Sequence, residues 1–142
     1  MRHPLRHHAR RFALQALYQW HITKLDLIAI EEQFYVDHIK SKKIDREYFH
    51  ELLFSVPQTL SKIDESIQSH SKRRLKEVDP VELSILRIAI YELMTHPEIP
   101  YKVIINEALE LAKTFGAADG FKFVNGLLDN AAISLRPIET HK

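Results

Sequence analysis

Arg2, Arg6, Arg10 and Arg11 crowd the first eleven residues, with His3, His7 and His8 among them and no acid before Asp26. Guanidinium groups neutralise phosphates and stack on unpaired bases, so this arm suits single-stranded RNA, although it equally suits a solvated, frayed N-terminus. Lys24 brings the first 25 residues to +5, whereas the whole chain carries +1, which leaves −4 on the remainder. A basic arm on a mildly acidic body suggests two surfaces for two partners. Tyr18, two turns beyond Arg11, offers an aromatic face and a hydroxyl, although a lone Tyr on such a helix also suits partial packing. Lys122-Phe123 sets a cation beside a ring, a pair that grips phosphate and stacks a base. The spacing of Phe123 to Leu127 equally suits a core position. The run Lys72-Arg73-Arg74-Leu75-Lys76 reads as a solvated linker or as an extension of the same track. Glu82, Glu92, Glu107 and Glu110 form the acidic counterpart. Glu82 suits a helix cap, and Glu107 and Glu110 suit a solvated face.

Catalytic chemistry finds no foothold. The nine histidines contain no His-Glu-x-x-His pattern, and the adjacent His7 and His8 point apart on a helix. With three glycines there is neither a phosphate-cradling loop nor a nucleophile elbow. The absence of cysteine removes disulfides, thiolate metal sites and thiol nucleophiles. The expectation is a binding module that is not an enzyme and uses no metal and no cofactor. No apolar run approaches the ~20 residues of a membrane span, and no apolar stretch of the signal-peptide kind follows the arm, so a cytoplasmic protein is expected.

The elements that must position these residues are helices. Few breakers and many Leu, Ile, Ala, Glu and Lys favour them over sheet. Apolar positions recur at helical spacing in six stretches. The first, Pro4 to His21, turns Ala9, Ala13, Ala16, Leu17 and Trp20 to one side. The second runs from Leu27 to Ile39, with Asp26 as its cap. The third follows Asp45 and reaches Ile67, with a kink or break at Pro57. The fourth starts at Asp79-Pro80-Val81-Glu82, a capping-box pattern, and its apolar residues fall on nearly every side, so it is central and buried. His96-Pro97 ends it. The fifth runs from Pro100 to Gly116, which is expected to be a left-handed stop. The sixth is expected to be capped by Asp119 and to end before Pro137, leaving a mobile tail. The fold class is all-α.

Three segments carry a family resemblance. Residues 9–20, Ala-Arg-Arg-Phe-Ala-Leu-Gln-Ala-Leu-Tyr-Gln-Trp, resemble the N-terminal helix of NusB proteins. Residues 82–93 are similar to the family's fourth helix. The Val103-Ile104-Ile105-Asn106-Glu107-Ala108 and Lys122-Phe123-Val124-Asn125-Gly126 pair is its most specific signature. The resemblance covers nearly the whole chain. It implies two packed three-helix subdomains, residues 1–76 and 77–136, with 137–142 as a tail. It implies a bacterial antitermination factor that pairs with NusE, a small-subunit ribosomal protein, and binds the boxA element of ribosomal RNA leader transcripts. The complex lets RNA polymerase pass terminators. On this resemblance the RNA contacts are Arg6, His7, His8, Arg10, Arg11, Tyr18, Lys122 and Phe123, and the NusE contacts are Glu82 and Tyr91, on the fourth helix. Asn125 and Gly126 are expected to be structural, Gly126 as a helix-packing glycine.

The chain departs from the family pattern at three places. His7 and His8 stand where Arg is common, Arg11 where many members have Glu, and Gly120-Phe121 where Ser-His is frequent. Imidazole ordinarily gains its proton near ~6.5, so the first departure predicts RNA binding that strengthens as pH falls. A helical protein adaptor with weak RNA binding is the alternative, and both monomer and homodimer remain open. RNA cytosine methyltransferases with a NusB-like N-terminal domain need a nucleophilic Cys, and this sequence has none.

Overall fold

The computed structural model describes residues 3–141, and among these every regular element is helical. The chain divides into two compact units, Met1–Gln58 and Thr59–Lys142.

The first unit holds α1 (His3–Thr23), α2 (Leu27–Phe34), which continues as a π-helical turn (Tyr35–Ile39), and α3 (Arg46–Gln58). α1 packs chiefly on α3. Pro4 falls in its first turn, where a missing N–H costs nothing. Lys24, in the left-handed region at φ 57°, ends it, and its N–H donates to the Trp20 carbonyl at 2.8 Å. Asp26 makes no side-chain cap, contrary to expectation, whereas Asp45 accepts from the Tyr48 N–H at 3.0 Å and opens α3. Ile30, Phe34, Ile39, Phe49, Leu52, Leu53 and Val56 are buried, with the Phe34 and Phe49 rings 6.3 Å apart.

The second unit holds α4 (Leu60–Ser69), a 3₁₀ turn (Leu75–Glu77), α5 (Pro80–Thr95), α6 (Tyr101–Phe115), α7 (Gly120–Leu135) and α8 (Pro137–Thr140). The third apolar stretch of the sequence therefore breaks beyond Pro57, and its second half lies in this unit. Side chains explain why. Ile63 and Ile67 of α4 are buried, and Asp64 receives both Nε and Nη2 of Arg87 at 2.9 Å each, which ties α4 to α5.

α5 is central, as its all-round apolar pattern predicts: every residue from Glu82 to Leu93 is buried, and α4, α6 and α7 pack around it. Asp79 caps it, accepting from the Val81 and Glu82 N–H groups at 2.8 and 3.2 Å.

Two expected helix signals work differently. Gly116 is extended, at φ −86° and ψ 177°, not left-handed. It is small because a Cβ there would stand 2.7 Å from the Ala112 carbonyl oxygen. Asp119 forms no side-chain cap on α7, since its carboxylate lies 3.8 Å from the Lys122 ammonium instead. The expected mobile tail contains α8, anchored through Arg136 and Glu139, and its last residue, Lys142, lies outside the described residues.

Candidate nucleic-acid interface

Helical periodicity sorts the basic arm into two sets. His8, Arg11 and Tyr18 are exposed and share one stripe of α1 with the half-buried Gln15, whose Nε2 donates to the Arg11 carbonyl at 3.3 Å. Arg6 and Arg10 face inward. The Arg6 guanidinium lies 4.2 Å from the centre of the Tyr48 ring and 3.7 Å from Asp45. Arg10 is only 2% exposed, with its guanidinium 5.6 Å from the same ring. A cation over an aromatic face is held electrostatically, so Tyr48 of α3 fixes both arginines. Arg10, expected as an RNA contact, is thus almost wholly buried. His7 is half-buried, with its ring edge-on to His8 at 5.6 Å. Arg2 lies outside the described residues.

In the second unit the aromatic–cation pairing recurs. Lys122 is well exposed, and Phe123 is half-buried rather than a core residue. The Arg73 guanidinium stands 4.3 Å from the Phe123 ring centre, so the Lys72–Lys76 run is brought to the start of α7 instead of trailing as a separate loop. Lys113 of α6 lies 5.4 Å from the centre of Phe121. Sequence reasoning singled out the Arg73 run and Phe123 separately. It missed Tyr48 and Lys113, because each acts through a contact that no spacing along the chain reveals.

Glu82 and Tyr91, expected as NusE contacts, are both buried, at 3% and 6% exposure. The Glu82 carboxyl does not close the capping box. It turns beneath the α6–α7 loop, where it accepts a hydrogen bond from the Ala117 backbone and where a Cβ on residue 120 would overlap its Oε2. Burial pushes its pKa up, the Asp79 carboxylate pushes in the same direction, and Arg73 and the Ala117 bond oppose them. Gly120, one of the departures from the family pattern, is thus the residue that leaves room for this buried acid. Tyr91 packs edge-on against His96 at 5.9 Å. Glu92 and Glu107 are also buried, so of the acidic set only Glu110 is exposed. Gly126 is not a packing glycine, because it is exposed and nothing lies within 4 Å of a Cβ built on it.

These helices, with exposed cations on α1 and a guanidinium set on an aromatic ring at the start of α7, are the apparatus of a helical binding module. Residues 7–132 match the NusB family, and the chain belongs to it. It is 50% identical over 134 residues to the transcription antitermination protein NusB of Pseudomonas entomophila, covering 94% of this chain and 80% of that one. The Hahella chejuensis protein of the same name is 47% identical, with coverages of 92% and 87%. That of Photobacterium profundum is 43% identical over 96% of this chain and 99% of its own. A solved structure of T. maritima NusB superposes with a TM-score of 0.76 at 31% identity, covering 93% and 92% of the two chains. No helix among the described residues is long and apolar enough to cross a membrane.

Proposed function

We propose that this chain is a transcription antitermination factor that pairs with NusE, holds boxA-type single-stranded RNA of ribosomal RNA transcripts, and so helps RNA polymerase pass terminators. The observation that carries this reading is near-full-length identity of 43–50% to proteins named for transcription antitermination. The surface chemistry agrees with it. His8, Arg11 and Tyr18 on α1, and Lys122, Phe123 and Arg73 in the second unit, supply cations for phosphates and flat faces for bases. Arg6, Arg10 and His7 shape the α1 surface from within. Glu82 and Tyr91 serve the NusE surface indirectly, by setting the α6–α7 loop and the end of α5. The protein is an adaptor: it positions RNA and protein partners and transforms neither.

A fluorescence anisotropy titration with a labelled boxA-type RNA and a scrambled RNA of equal length, each with and without NusE, tests the reading. Preference for the boxA-type strand, tightened by NusE, is expected. Equal affinity for both RNAs, or no effect of NusE, overturns it.

A further inference from the structure

A cavity of about 640 Å³ opens in the first unit, lined by residues of α1 and of the segment that joins α2 to α3. Arg11 enters from α1 and Lys42 and Lys43 from the Lys40–Lys43 segment, and none of the lining residues is acidic. No carboxylate among the described residues pairs with Lys42 or Lys43. Such a cavity concentrates positive potential on whatever enters it.

Its second feature is aromatic. Phe12 and His38 stack with centroids 5.8 Å apart and planes 28° from parallel, and both line the same cavity. His38 arrives there on the π-helical turn, whose extra residue rotates the end of α2 out of α-helical register. The ring also touches Phe34 at 5.2 Å, so a buried side chain backs it. Flat faces beside the Lys42 and Lys43 ammonium groups are what a nucleotide unit of a single strand requires, whereas a peptide partner for this surface would have to be acidic and gain little from stacked rings.

We propose that the Arg11–Lys42–Lys43 cavity is a further site on the RNA path, where two lysines and an arginine hold backbone phosphate and the Phe12–His38 stack receives a base. This inference rests on the RNA-binding reading and extends it to the α2–α3 segment, which the sequence pattern left unmarked.

The test uses the full chain with NusE and a labelled boxA-type RNA, with affinity measured across a salt series. Lys42 and Lys43 are exposed, so Lys42→Gln/Lys43→Gln leaves the fold intact, with a melting curve as control. Each phosphate neutralised on a single strand contributes about 0.7 to the salt slope, so the double variant should lower the slope by about 1.4. His38→Ala should weaken binding about tenfold with the salt slope retained, and His38→Phe should restore it. Lys122→Gln, far along the chain, reports on the underlying reading. If it loses affinity and slope while the Lys42/Lys43 variant matches the parent, the cavity proposal fails and RNA binding stands. If the parent binds no RNA, both fail. Displacement of the RNA by uridine monophosphate at equal phosphate concentration would make the cavity a free-nucleotide site and overturn its place on the strand.

Discussion

The carboxyl of Glu82 lies under the α6–α7 loop, and burial holds its pKa above the ordinary 4.5. The folded protein therefore binds this proton more tightly than the unfolded chain does. Stability associated with the neutral form is complete below the unfolded value and is lost as pH rises through the folded one. At neutral pH the ionised group opposes folding. Glu82→Gln keeps an acceptor for the Ala117 N–H and removes that charge, so it should raise the melting midpoint at pH 7. The gain should shrink as pH falls towards 4, and melting curves across that range read both. Gly120 is the partner in this arrangement. Gly120→Ala places a methyl on the Glu82 Oε2 and should cost about 1–3 kcal/mol, the usual range for overpacking. Combining it with Glu82→Ala should recover much of the loss in a denaturation cycle, since the second change empties the space that the first needs.

Among the elements, α8 shows how four residues become a fastener. Arg136 donates to the carbonyls of Leu93, His96 and Ile99 at 2.9, 2.8 and 3.0 Å, and to Glu139 at 2.6 Å. Glu139 in turn accepts from the Tyr101 N–H at 2.8 Å, at the start of α6. One guanidinium thus satisfies the carbonyls that α5 and the α5–α6 turn would otherwise leave open. Arg136→Ala should cost about 3 kcal/mol and speed hydrogen exchange at the Tyr101 amide, both measurable on the same sample. None of this is visible in the sequence, where Pro137 and the polar residues after it read as a tail. What the sequence does disclose is periodicity. The all-apolar surround of α5, the Asp79-Pro80 start and the break near Pro57 were legible because each is a local property. Arg10 pointing inward, Glu82 under a loop and Arg73 on Phe123 were not, because each depends on which distant ring or backbone group stands opposite. The open space around Gly126 is likewise a property of neighbours that the motif itself does not contain.

For the whole molecule, the +5 on residues 1–25 against −4 on the remainder fits a protein that meets an anionic strand and a second, basic partner. Phosphate contacts supply affinity that falls with salt, while stacked rings supply grip that does not, and both units carry some of each. On the proposed function, any tightening of RNA binding by NusE is matched by an equal tightening of NusE binding by RNA, since coupling between two ligands on one protein is reciprocal. The proposed role is in transcription itself. Its most direct test is read-through of a terminator by RNA polymerase on a template with a boxA-bearing leader, in a reconstituted antitermination reaction with NusE, with and without this protein. The protein should increase read-through, the increase should disappear when boxA is scrambled, and Lys122→Gln should diminish it. Read-through that is the same with and without the protein, or an increase indifferent to boxA, would contradict it.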